Sequence, residues 1–154
     1  MIPPLIKPAG ASIRVLPPGI HPATMIEVHA FFGKSKRRKW LLEGLEIALD
    51  DLRQAGCQRI FLDGSFTTSI KDPDDYDGCW DPVPVRPPDL DRMYREMPQR
   101  KFEQKVHHRG ELWQGNPDIP GFDAMIKFFQ SDTKKGILRK GLLEIDISGN
   151  RKSQ

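Results

Sequence analysis

Several features that would restrict the class of this 154-residue chain are scarce or missing. No apolar run approaches the roughly 20 residues that span a bilayer, and the first residues lack the basic-then-apolar pattern of a secretory signal. We therefore expect a soluble, cytoplasmic protein with no membrane partner. Cysteine is scarce too. Cys57 and Cys79 could in principle form a bridge, but we interpret both as buried thiols, because an intracellular chain of this size needs no disulfide.

Charge is balanced, and the composition is that of a globular protein. The net charge of +3 is too small to indicate a nucleic-acid-binding protein by itself. Hydrophobic residues make up 38% of the chain, which is enough for one modest core. We predict an extended N-terminal arm at residues 1–20, a single domain at 21–150 and a short tail at 151–154.

Helical and strand patterns alternate along the chain, which predicts an α/β (α+β) domain. Thr24 and Glu27 have the spacing of a capping box, and Ser35 is a suitable N-cap for the longest amphipathic stretch. The predicted helices cover residues 23–32, 36–55, 89–97 and 122–130. The predicted strands cover residues 58–62, 76–81, 111–113 and 141–148.

The residues best suited to chemistry are a glycine-serine turn and a pair of aspartates. Gly64 lets main-chain N–H groups approach an anion, and the Ser65 hydroxyl adds a donor at the same place. Asp75 and Asp77 are two residues apart on the following strand, so both carboxylates project from one face while Tyr76 points to the other. Two like charges this close favour a cation between them, and carboxylate oxygens suit Mg²⁺, with Mn²⁺ as a substitute.

A third carboxylate ligand is expected from another strand. Alternation along the strand at 141–148 places its apolar residues in the core and leaves Glu144 and Asp146 together on the opposite face. Asp146, flanked by apolar residues, is the candidate. Asp63 and Asp81 fit outer-shell or surface acids better than metal ligands.

The order Gly64-Ser65, nine residues, Asp75-Tyr76-Asp77 and a later Asp146 resembles the signature of the DNA polymerase beta-like nucleotidyltransferase superfamily. The runs 61–66 and 77–81, preceded by 16–22, look like a family of short bacterial and phage-associated proteins of largely unassigned function. The resemblance implies a mixed β-sheet flanked by helices, with Asp75, Asp77 and Asp146 on two metal ions and NTP phosphates at Gly64 and Ser65. One departure is Gly78, which stands where the superfamily has a hydrophobic residue.

The expected function is transfer of a nucleoside monophosphate from an NTP to a hydroxyl of RNA, such as tRNA, or of protein. Here Asp146 would also activate the incoming hydroxyl. The resemblance further implies a toxin of a toxin-antitoxin or phage-defence system, with a cognate antitoxin as partner. One alternative is a catalytically silent regulator that binds a nucleotide or nucleic acid. Another is a metal-dependent phosphohydrolase.

The other polar residues have less specific patterns, and two of them have two interpretations each. The basic cluster at 34–39 fits either an anionic partner or a solvated turn, and the basic stretch at 92–109 fits single-stranded nucleic acid only weakly. Lys71 fits either a contact to the triphosphate or a solvated side chain. His107 and His108 lack the spacing of a zinc site and are interpreted as surface or loop histidines.

Overall fold

The computed structural model describes residues 1–116 and 140–149. These residues form a mixed β-sheet with helices, so the predicted α+β class is confirmed. None of the helices in the described ranges is long and apolar enough to cross a membrane. In chain order the elements are β1 (Ile20–Ala23), α1 (Met25–Phe32), α2 (Lys36–Gln54), β2 (Arg59–Asp63), β3 (Tyr76–Trp80), α3 (Arg92–Arg95), α4 (Lys101–His108), β4 (Gly110–Gln114) and β5 (Leu142–Asp146).

The strands form one sheet in the order β1-β5-β2-β3-β4. The central strand β2 pairs antiparallel with β5 and β3, whereas the outer pairs β1/β5 and β3/β4 are parallel. Asp63 on β2 lies opposite Asp77 on β3, and Asp77 in turn lies opposite Glu111 on β4. Because β2 ends where β3 and β4 begin, these three acids meet at one end of the sheet.

The two faces of the sheet differ in chemistry. Ile60, Leu62 and Tyr76 belong to one buried face, which packs against the apolar side of α2. Since side chains alternate along a strand, the carboxylates of β2 to β5 fall on the other face. They are Asp63, Asp77, Glu111, Glu144 and Asp146.

Both long helices begin as the sequence predicts. The Thr24 side chain accepts from Glu27 N–H at 3.1 Å, and the Glu27 carboxylate accepts from Thr24 N–H at 3.2 Å, so the capping box is confirmed. Ser35 caps α2. The strands predicted at 58–62, 76–81, 111–113 and 141–148 correspond to β2, β3, β4 and β5. Cys57 and Cys79 are buried free thiols, as expected.

Three regions differ from the prediction. The helix expected at 89–97 is reduced to the single turn of α3. The sequence predicts no helix at 101–108, because in α4 the apolar Phe102 and Val106 are exposed while the polar Gln104 and His108 are buried. The extended arm continues into β1, an edge strand that tolerates a proline. The helix predicted at 122–130 lies outside the described residues.

Candidate functional site

The glycine-serine turn directly follows β2 and leads into a 3₁₀ turn. Gly64 has a φ of +77°, and a Cβ at this position would lie 2.6 Å from Asp77 Oδ2. Glycine is therefore required both by the backbone conformation and by the space available. Ser65 is half-buried, and its hydroxyl makes no hydrogen bond to any described residue. The structure thus brings the turn into contact with one of the two aspartates.

Asp77 is surrounded by other acids. Burial, followed by the charges of Asp75, Glu111 and Asp63, raises the pKa of Asp77 to about 7. Tyr76 points to the opposite face and is fully buried in the core, as the alternation predicts. Among the described residues no cation lies within ion-pair distance of the Asp77 carboxylate, since the nearby lysines pair with its neighbours.

Lys105 on α4 connects two of those neighbours. Its Nζ lies 3.3 Å from Asp75 Oδ2 and 3.4 Å from Glu111 Oε1. Glu111 is largely buried and comes from the strand beside Asp77. The sequence predicts the strand at 111–113 but not its pairing with β3, so it gives no sign that Glu111 joins the aspartates.

Asp146 lies elsewhere on the same face. It is opposite Arg59 at the start of β2, whereas Asp77 is opposite Asp63 at the end of β2. At about 3.3 Å per residue, the two positions are roughly 13 Å apart along β2 alone. Asp146 is exposed, and its Oδ1 accepts hydrogen bonds from Ser148 N–H at 2.8 Å and Ser148 Oγ at 2.6 Å. The structure therefore does not bring Asp146 to the aspartate pair.

A buried lysine lies against the turn instead of Lys71. Lys140 Nζ donates to the Gly64 carbonyl at 3.0 Å and lies 3.4 Å from Asp63 Oδ1. Both Lys140 and Asp63 are almost fully buried. Lys71 is exposed on the loop, where its carbonyl accepts from Ser35 Oγ. Asp63 is thus an enclosed member of the acidic group rather than a surface acid.

The N-terminus of α2 holds the connecting loop, residues 66–74, which joins the turn to the aspartates. The buried guanidinium of Arg38 donates to loop carbonyls at distances of 2.5 to 3.2 Å. Arg37 donates to the last two loop carbonyls, directly before Asp75. The carbonyls bound by the two arginines are those of Phe66, Thr68, Ile70, Pro73 and Asp74. Part of the basic cluster at 34–39 therefore fixes the loop, which neither reading of the sequence anticipated.

A buried polar network supports β3 and β4 from the helix side. Gln104 donates to the carbonyls of Met93 and Leu112 and accepts from Leu112 N–H, which fixes the orientation of its amide. His108 Nε2 therefore carries the proton that the Gln104 oxygen accepts, and Nδ1 accepts from the Tyr76 hydroxyl. Burial lowers the pKa of His108 to about 4. The expectation of a surface or loop histidine is wrong for His108, because a polar partner on each side allows the ring to be buried.

The basic stretch at 92–109 is largely ion-paired. Arg92 and Arg100 pair with Glu96, and Arg109 pairs with Glu43. The Arg37 and Arg109 guanidiniums lie 4.6 and 4.4 Å from the ring centroid of Trp40, which is 40% exposed. An exposed aromatic ring between two arginines thus stands beside the end of the connecting loop.

Within residues 1–116 and 140–149, no three His, Cys, Asp or Glu side chains are grouped closely enough to hold a metal ion together. The donors around Asp77 are nevertheless all carboxylates, the ligands that Mg²⁺ and Mn²⁺ prefer. The Asp77 carboxylate, which lies among three acids and pairs with no described cation, also carries negative charge that a divalent ion would neutralise. By its chemistry this set of donors fits a hard divalent cation.

Comparison with protein families matches residues 8–146 to a family described as "Family of unknown function (DUF6932)". The chain belongs to DUF6932. The matched range contains the turn, the aspartate pair, Glu111 and Lys140. No curated protein and no solved structure matches the chain.

Proposed function

We propose that this protein is a metal-dependent nucleotidyltransferase that moves a nucleoside monophosphate from an NTP to a hydroxyl group. One observation carries the proposal: the Gly64 turn touches an Asp77 carboxylate that is surrounded by three acids and paired with no described cation. A close backbone turn and hard oxygen ligands are the two elements that triphosphate chemistry needs at one place.

In this proposal Asp75, Asp77 and Glu111 hold Mg²⁺ or Mn²⁺, and Glu111 replaces Asp146 as the third carboxylate. The metal would neutralise charge on the triphosphate and polarise the reacting phosphoryl group. The open main chain at Gly64 and the unbonded Ser65 hydroxyl would donate to phosphate oxygens. Lys105, which now joins Asp75 to Glu111, would give up these contacts when a cation arrives.

The proposed transfer is a single displacement at the α-phosphorus of the NTP. The acceptor hydroxyl oxygen bonds to the α-phosphorus, while the bond from that phosphorus to the bridging oxygen breaks. Pyrophosphate leaves with the electron pair of the broken bond, and the hydroxyl proton passes to a Glu111 carboxylate oxygen. The clamp of Arg37 and Arg38 keeps the turn and the aspartates at a fixed separation throughout.

RNA is the acceptor class that the surface supports best. Arg37 and Arg109 lie over the ring of Trp40 and offer positive charge for RNA phosphates, and the exposed part of the ring adds an apolar contact. Arg37 also donates to the Asp74 carbonyl, so this surface adjoins the residue directly before Asp75. A cognate antitoxin and a toxin role stay predictions, which growth arrest on expression and its relief by Asp77→Ala would test.

The deciding experiment incubates the protein with each NTP radiolabelled at the α-phosphate, Mg²⁺, and either tRNA or lysate protein. We expect label in tRNA with the native chain and none with the Asp75→Ala/Asp77→Ala variant. Transfer that persists in this variant would refute the mechanism. Release of free phosphate or pyrophosphate without labelling of an acceptor would instead identify a phosphohydrolase.

The ion pairs of Lys105 and Lys140 favour a second candidate, a silent nucleotide-binding regulator. Lysines that neutralise the acids in place of metal would keep the fold intact without catalysis. Calorimetry separates the two functions. NTP binding that is tight in Mg²⁺ but never followed by turnover, over all acceptors tested, supports the regulator.

A further inference from the structure

Asp63 is an anomaly among the buried groups of this protein. The residue is 2% exposed, and neither carboxylate oxygen makes a hydrogen bond of good geometry to a described residue, although the Gly64 N–H and Lys140 lie near enough to act on its pKa. An enclosed carboxylate normally accepts several hydrogen bonds, because burial without them costs free energy. Among the described residues, the cation within ion-pair distance of Asp63 is Lys140, whose Nζ lies 3.4 Å from Oδ1.

The direction of this carboxylate is set by the sheet. Asp63 lies directly opposite Asp77 in the antiparallel pair of β2 and β3, so both side chains project from the same face. The charge of Asp63 is among the causes that raise the pKa of Asp77. Asp63 therefore faces the proposed metal site from the side opposite to Glu111.

Two lysines flank this row of acids. Lys105 contacts Asp75 and Glu111 at one end, and Lys140 contacts Asp63 at the other. Counted over the described residues, the two ammonium groups leave two negative charges uncompensated, centred on Asp77, when Asp63, Asp75, Asp77 and Glu111 are all ionised. A divalent cation supplies that charge, and the unbonded oxygens of Asp63 supply further ligands.

We propose that Asp63 is a divalent-cation ligand of this protein, and that Lys140 takes the place of the cation beside Asp63 when no ion is bound. This inference rests on the proposed metal site at Asp77 and adds a carboxylate that lies outside the Asp-x-Asp pattern. Lys140 is suited to the exchange because it also donates to the Gly64 carbonyl, where it remains held after releasing Asp63.

The test measures Mn²⁺ binding to the full chain without nucleotide, from the electron paramagnetic resonance signal of free Mn²⁺. Asp63→Asn should weaken binding by at least about tenfold, the lower end of what losing even an outer-shell partner costs. Lys140→Met should bind Mn²⁺ at least as tightly as the native chain, because it removes the competing ammonium. Asp146→Asn, on the same face but far from Asp77, is the matched control and should bind as the native chain does.

Thermal unfolding gives a second readout that does not depend on activity. Mn²⁺ should raise the unfolding temperature of Lys140→Met more than that of the native chain, since the ion then neutralises an otherwise unpaired buried carboxylate. If Lys140→Met does not fold without metal, the variant Asp63→Asn/Lys140→Met, neutral at both positions, replaces it. This double variant should bind Mn²⁺ as weakly as Asp63→Asn.

The outcomes separate this inference from the proposed function. Native affinity in Asp63→Asn, together with weak binding in Asp77→Asn, would overturn the role of Asp63 and leave the proposed function standing. Weaker binding in Lys140→Met than in the native chain would show that Lys140 supports the site and does not compete for it. If the native chain bound no Mn²⁺, both proposals would fall together.

Discussion

Gly64 and Asp77 are so close that a single methyl group on the glycine would reach 2.6 Å from the aspartate Oδ2. Gly64→Ala should therefore displace the carboxylate and strain a backbone with a φ of +77°. We expect a loss of about 2–4 kcal/mol in the free energy of unfolding, from roughly 1–3 kcal/mol of strain in an extended, positive-φ backbone that only glycine adopts readily plus the clash. Urea denaturation gives the value.

Gly56→Ala is the matched control for this prediction. Gly56 also has a positive φ, +92°, but a Cβ there meets no atom within 4 Å. It should show the backbone strain alone and keep native Mn²⁺ binding. Equal losses of stability in the two variants would mean that the contact with Asp77 carries no energetic weight.

Asp77→Asn should stabilise the protein while removing its activity. The pKa of Asp77 is raised from 3.8 to about 7, so the folded state binds the proton more tightly than the unfolded state does. The part of the free energy of unfolding that comes from this raised pKa is complete below about pH 4 and is lost as the pH rises toward 7. The substitution removes this loss, which is at most about 4 kcal/mol. Urea denaturation without metal should show a larger gain at pH 8 than at pH 5, where only about a third of the loss has occurred.

His108 should make the protein sensitive to acid. Its pKa is lowered from 6.5 to about 4, so the unfolded state binds the proton first as the pH falls. The part of the free energy of unfolding that comes from this lowered pKa is complete above about pH 6.5. It is lost between pH 6.5 and pH 4 and amounts to at most about 3 kcal/mol. His108→Gln should flatten this part of the stability profile. His107→Gln should flatten it less, because the charge of His107 lowers the pKa of His108 by less than burial does.

The sequence was sufficient for those parts of the site that depend on local pattern. The turn at Gly64, the opposed directions of Tyr76 and Asp77, and the core residues of β5 follow from chain spacing and alternation. Pairing between distant strands does not, so the sequence could not show that Glu111 lies beside Asp77 and Asp146 does not. The departure at Gly78 also needs the structure, because a Cβ there would lie 2.1 Å from the Phe61 carbonyl oxygen.

Arg38 should matter more for the loop than its position in a basic cluster suggests. Arg38→Met leaves the carbonyls of Phe66, Thr68 and Ile70 without their donor, so hydrogen exchange across residues 66–74 should accelerate. Arg38→Lys should not restore protection, because one ammonium cannot reproduce the planar fork. Lys39→Met, an exposed neighbour, is the control. Native exchange in Arg38→Met would show that the loop holds itself in place.

The choice between Glu111 and Asp146 as third carboxylate can be decided by one pair of variants. Glu111→Gln keeps the shape of the side chain but accepts no proton and binds a cation poorly, so nucleotide transfer to tRNA should fall by about 10²–10⁴-fold. Asp146→Asn changes a carboxylate that binds Ser148 at the far end of β2. Transfer by this variant should therefore stay within about twofold of the native rate, a change far smaller than the loss of one catalytic contact would cause. The reverse result would restore Asp146 and require a pairing of β5 different from the one observed, since the present register keeps it away from Asp77.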